Sequence, residues 1–138
     1  MVKAIVRDEA FLQMSSEPAT KADGAVGQDL QDTLRANANR CVGLAGNMIG
    51  VRKRVIIVNL EGTPLNLVMY NPIIVSSSGP YVAYEGCLSL DGTRKTVRYQ
   101  EIEVSFRDAS WKEQRVKFSG FTAQTIQHEI DHLSGILI

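Results

Sequence analysis

The chain has 138 residues, a length that supports one domain (residues 1–138) with a core of its own and no need of disulfides. Fifteen basic residues balance fifteen acidic ones, so nothing in the charge argues for nucleic acid or an anionic membrane as partner. No apolar run approaches the roughly 20 residues of a membrane span, and the first ten residues carry no leader pattern. Cys41 and Cys87 are therefore expected as reduced thiols in a cytoplasm.

Residues 15–25 are polar and turn-rich and read as a loop, with Asp23 as a candidate cap for the helix that follows. Val26, Leu30, Leu34 and Ala38 recur every four residues and predict a helix over about 25–39. The three glycines within Cys41–Gly50 argue against a helix there and for unusual backbone torsions. Arg54–Asn59 is a β-branched run, read as a buried strand. Leu67–Tyr70 and Ile73–Ser76 read as two strands on either side of Asn71-Pro72. Ile102, Val104 and Phe106 alternate with Glu103, Ser105 and Arg107, the period of a half-buried strand. Asp108–Lys112 reads as a turn into a partner strand, Gln114–Phe118.

After Gly120 the pattern changes. Phe121–Leu133 holds no glycine or proline, and Phe121, Thr125, His128 and His132 fall on one helical face, with Gly135 as a C-terminal stop. The predicted class is α+β: a mostly antiparallel sheet, an N-terminal helix, and a central C-terminal helix.

That last helix carries H-E-x-x-H as His128-Glu129-Ile130-Asp131-His132. Positions i and i+4 lie one turn apart, so two imidazoles can converge on one ion. Glu129 stands beside the first of them, placed to take a proton from a water without being a ligand. The plain alternative is an exposed polar helix face. A catalytic zinc-type site takes three protein ligands, and the two histidines are the only ones in the chain. Cys41 and Cys87, each in a glycine-containing segment, compete for the third place; either is equally well read as an inert buried thiol, and local spacing does not choose between them.

At these residues the chain resembles the peptide deformylase family. Glu85-Gly-Cys-Leu-Ser89 is similar to that family's cysteine motif, and Gln127-His-Glu-Ile-Asp-His-Leu133 to its helix motif, in the family's order and about 40 residues apart. The resemblance extends from the Ile5–Leu12 region to Ile138. It implies Cys87, His128 and His132 as metal ligands and Glu129 as acid and base, with the backbone N–H of Leu88 on the oxyanion. The extended peptide is expected against Val42, Gly43 and Gly86, with Gln124 and Thr125 either in its side-chain pocket or facing solvent. The substrate implied is an N-formylmethionyl peptide or nascent protein, and the product is formate plus a free amine. The ion implied is one divalent metal, often ferrous iron, with zinc, nickel or cobalt as substitutes. Some members contact the ribosome through a further C-terminal helix; here the chain stops at Ile138, which argues against that route.

The family's first motif usually reads glycine, an apolar residue, Gly-Leu-Ala-Ala, any residue, then glutamine. Here it is Cys41-Val-Gly-Leu-Ala-Gly-Asn-Met48. Met48 stands where the resemblance expects a glutamine that donates to the oxyanion, and a thioether has no donor. Asn47 is the nearest replacement donor, or else an ordinary turn residue. Three functions compete: an active deformylase, a metal- and peptide-binding protein with little turnover, and an H-E-x-x-H endopeptidase. Met48 favours the second; the intact ligand set and the Glu-Gly-Cys-Leu-Ser match favour the first.

Overall fold

The computed structural model describes residues 1–138. Its order is α1 (Glu9–Leu12), α2 (Gly24–Ala36), β1 (Gly43–Ala45), β2 (Val55–Asn59), β3 (Asn66–Cys87), β4 (Leu90–Arg107), β5 (Glu113–Ser119) and α3 (Gly120–Leu133). The five strands form one antiparallel sheet in the order β1-β2-β3-β4-β5, so β1 and β5 are its edges. The α+β reading holds. No helix is long and apolar enough to cross a membrane.

The helix ends follow local chemistry. Asp8 caps α1 by accepting from the Ala10 N–H at 3.0 Å. Asp23 does not cap α2, contrary to the sequence expectation. Its carboxylate turns back to accept from the Thr20 N–H at 2.7 Å, closing a capping box on the 3-10 turn Lys21–Asp23. α2 buries Leu30 and Leu34 as its periodicity requires but stops at Ala36, before the Ala38 included in the predicted stripe. Gly135 adopts φ +76° just past α3, and the Ile136 N–H returns to the Asp131 carbonyl at 3.1 Å, the stop expected of it.

The glycine-rich segment is more regular than its composition suggests. It holds the short strand β1, then a 3-10 turn over Gly46–Ile49 that ends on Gly50 at φ +86°. The Asn71-Pro72 break does not separate two strands. β3 runs through it with a register shift between Tyr70 and Ile73. Asn71, at φ +52°, replaces the lost ladder with its own amide, accepting from Ala19 N–H at 2.7 Å and donating to Ala19 O at 2.9 Å. Beyond Ser76, β3 and β4 continue as a long hairpin to Cys87 and Leu90. Residues 76–80 are exposed throughout, which explains why no alternation marks them.

α3 lies against the sheet, with Ala123, Ile126 and Leu133 fully buried among Leu44, Ile56 and Val104. Burying one such aliphatic side chain contributes roughly 1.5–3 kcal/mol, but two amide contacts fix the helix in register. The Gln127 side chain clamps the Tyr99 peptide of β4, accepting from its N–H and donating to its carbonyl, both at 2.9 Å. Asn47 donates to the His132 carbonyl at 2.8 Å. Cys87, at the end of β3, and the histidine face of α3 come together beside Gly43 of edge strand β1.

Candidate metal centre and cavity

The structure brings Cys87, at the end of β3, to His128 and His132 on α3; their ligand atoms all lie within 4.8 Å of one another. The Nε2 atoms of the two histidines face each other at 3.0 Å. His128 Nδ1 is 2.8 Å from the Glu85 carboxylate, which fixes its proton there and leaves Nε2 to face the cluster. One thiol and two imidazoles around a common point suit a single metal ion, and tetrahedral coordination leaves a fourth position open. Cys41 is not in this group: it lines the neighbouring cavity, where burial pushes its thiol up to about 11.

The two histidines are pushed in opposite directions by their surroundings. Burial alone would depress His128; hydrogen bonds to Cys87 and Glu85, helped by the Glu129 charge, outweigh it and raise the ring to about 10. His132 moves the other way, to about 3, through burial and the neighbouring charge on His128. The Nδ1 of His132 is buried without a partner.

Glu85 and Glu129 are both buried, yet their environments differ. Burial pushes Glu85 up, but His128, a bidentate Arg98 and the Gln124 amide all donate to it and hold it down at about 2. Arg98, itself 3% exposed, also donates to Asp131 at 2.5 Å, so the β4 side of α3 is tied by charge. Glu129 has no such donors. Burial raises it to about 7, and its Oε1 has no hydrogen-bond partner.

A cavity of about 410 Å³ opens beside the cluster, within the range of small-ligand sites. Val42, Gly43, Gly86 and Leu88 line it together with Cys87, His128 and Glu129. Gln124 and Thr125 line it too and do not merely face solvent; Gln124 is held between Glu85, at 2.8 Å, and the Tyr81 hydroxyl, at 3.1 Å. Gly43 leaves room for Glu129: a Cβ there would stand 2.9 Å from Glu129 Oε2 and 2.8 Å from Thr125 Cγ2. The Leu88 N–H makes no hydrogen bond within the chain.

Met48 lines the cavity at 1% exposure, its sulfur accepting from the Ala45 N–H at 3.4 Å. Asn47 does not replace the missing donor. It is fully buried with its amide turned away, to the His132 carbonyl. Glu85, although part of the cysteine motif, acquires its role only in the fold, as do Arg98, Tyr81 and Arg40 around the site. Arg98 carries no local signal: it pairs with Tyr81 in the β3–β4 ladder and meets Glu85 only through its long side chain.

The profile of the family described as polypeptide deformylase matches residues 2–138. A peptide deformylase of Clostridium beijerinckii is 51% identical over 138 residues, covering the whole of both chains. One from Thermomicrobium roseum is 46% identical over 118 residues, covering 80% of this chain and 66% of the relative. Among solved structures, a class I type b peptide deformylase from Acinetobacter baumannii superposes with a TM-score of 0.88 at 29% identity, covering 99% of this chain and 97% of that one. One from Legionella pneumophila gives 0.88 at 31% identity, covering 99% and 83%. These matches favour an enzyme over a non-catalytic binding protein or an endopeptidase: the chain belongs to the polypeptide deformylase family.

Proposed function

We propose that this chain hydrolyses the N-formyl group of formylmethionyl peptides and nascent proteins, releasing formate, as one metal-hydrolase domain working in the cytoplasm. The observation that carries the reading is the convergence of Cys87, His128 and His132 beside a buried Glu129 with a free oxygen, at the wall of a peptide-sized cavity. The family assignment and the Acinetobacter baumannii relatives described as bound to Met-Ala-Ser and to actinonin support it.

Cys87, His128 and His132 would hold one divalent ion, ferrous iron in the native state, with zinc, nickel or cobalt accommodated by the same donors. Bound there, the ion supplies Lewis-acid activation of a water and of the formyl oxygen. Glu129 takes the proton of the attacking water and passes it to the leaving amine; a carboxyl raised to about 7 by burial can do both near neutrality. The free Leu88 N–H donates to the oxyanion as the formyl carbon becomes tetrahedral. The peptide lies along the open edge of β1 at Val42 and Gly43, opposite Gly86, in the manner of an added strand. The Val42 carbonyl already accepts from Asn59 at 2.8 Å, so Gly43 offers the freer backbone. Gln124, fixed by Glu85 and Tyr81, forms a polar wall for the methionyl side chain.

The test is formate release from formyl-Met-Ala-Ser by protein loaded anaerobically with ferrous iron, beside Glu129→Ala. Turnover lost in the variant at equal metal content supports the reading. Fully loaded protein that releases no formate overturns it in favour of a non-catalytic binder, with Met48 as the cause.

A further inference from the structure

The peptide group joining Leu88 to Ser89 is held at both ends. Its N–H, on Ser89, donates to Cys87 Sγ at 3.4 Å. Its carbonyl, on Leu88, accepts from Arg7 Nη1 at 2.8 Å, while Nη2 of the same guanidinium reaches Asp91 at 2.7 Å. Arg7 is itself placed by its neighbour, since the Val6 N–H donates to the Met48 carbonyl at 2.8 Å. Residues 6 and 7 thus clip the 3-10 turn carrying Met48 to the turn carrying Leu88, and both turns line the cavity.

We propose that Arg7 is a positioning residue for Cys87: by holding the Leu88 carbonyl, it aims the Ser89 N–H at the sulfur and strengthens that donor. A peptide group is planar, so fixing its C=O end fixes its N–H end. A cation on the carbonyl oxygen also polarises the amide, and linked hydrogen bonds reinforce one another. An N–H bond to a ligating sulfur withdraws electron density from it, as outer contacts commonly tune metal ligands. The Asp91 ion pair is not the cause, because its side chains are 55% and 97% exposed and such pairs contribute little. No local pattern in the sequence joins Arg7 to a turn 81 residues away.

The inference rests on Cys87 being a metal ligand, and cobalt-loaded protein separates the two claims. Arg7→Met keeps the aliphatic stem and removes every donor; Arg7→Lys keeps the charge; Asp91→Asn removes only the ion pair. In Arg7→Met the sulfur-to-cobalt charge-transfer band moves to lower energy, the Ser89 amide proton exchanges faster, and cobalt passes to a chelator roughly 3- to 10-fold faster, below the usual effect of a direct outer contact. Arg7→Lys recovers part of each change, and Asp91→Asn leaves the band in place. A band and an amide exchange rate unchanged in Arg7→Met overturn the inference and leave Cys87 as ligand. An equal shift in Asp91→Asn overturns it in favour of the ion pair. A wild-type protein with no such band removes the ligand reading, and the inference with it.

Discussion

Gly43→Ala is the substitution whose effect can be worked most directly from the geometry. The glycine's backbone is not left-handed, so an alanine adopts it without torsional strain. The cost is contact. The added Cβ would stand 2.8 Å from Thr125 Cγ2, 2.9 Å from Glu129 Oε2 and 3.2 Å from Glu129 Cγ. Ordinary contact begins near 3.4 Å, so the carboxylate must retreat by about 0.5 Å, and misplacement of a reacting group by about 1 Å costs on the order of 10²-fold in rate. We expect kcat/KM to fall about 10- to 100-fold, chiefly in kcat, with metal content unchanged because no ligand touches Gly43. Thr125→Ser on top of Gly43→Ala removes the methyl and gives Glu129 room to relax, so it restores part of the loss. Formate release measured across substrate concentration, with metal analysis of each sample, decides the matter. Wild-type kcat in Gly43→Ala would refute the placement of Glu129 against β1.

Three further outcomes follow from the site. Met48→Gln installs an amide of similar length in the cavity wall and should raise kcat/KM, by up to about 10²-fold, the usual worth of one oxyanion donor. A rate unchanged by it would mean the role is already filled. Glu85→Gln removes the charge that orients His128 and should weaken metal binding about 10- to 100-fold in chelator competition; wild-type affinity would remove Glu85 from that role. Glu129→Gln should raise the Tm of the metal-free protein in a pH-dependent way. Burial raises this carboxyl from 4.5 to about 7, so its ionised form opposes folding. The opposition is complete above about pH 7 and absent below 4.5, and the gain in Tm must fade over that window as pH falls. A gain independent of pH would contradict it.

The two histidines were legible as candidate ligands because helical spacing is a local signal, whereas Cys87 was preferred to Cys41 only through the family resemblance of its motif. His128 and His132 needed only one turn of helix, and Gly135 announced its end. What stayed hidden depends on register or on competition between local options. Arg98 stands opposite Tyr81, not Glu85, in the β3–β4 ladder and reaches Glu85 only through its side chain, so no spacing in the sequence joins the two. Asp23 had two uses available, and the capping box on Thr20 took it. Asn71 kept β3 continuous with a side-chain substitute for backbone bonds that no pattern foretells. Asn47 was open to two readings, and the buried His132 carbonyl decided between them.

The two glutamates show how the fold assigns chemistry to similar side chains. Both are nearly inaccessible, at 8% and 4% exposure, and both stand beside His128 in space or in sequence. Glu85 is surrounded by three donor residues on two elements, Arg98 from β4 and Gln124 and His128 from α3, and a carboxylate so bound stays charged. It can orient an imidazole but has no reason to move a proton. Glu129 lies one residue along α3, on the side facing β1, where Gly43 offers space and no donor. Burial first, and then the nearby Glu85 charge, raise it to about 7, with no donor to oppose them. Paired titratable groups pushed apart by their surroundings mark an orienter and a proton carrier. Exchanging the roles would require rebuilding the sheet beneath them, because Arg98 reaches only the Glu85 side of the helix.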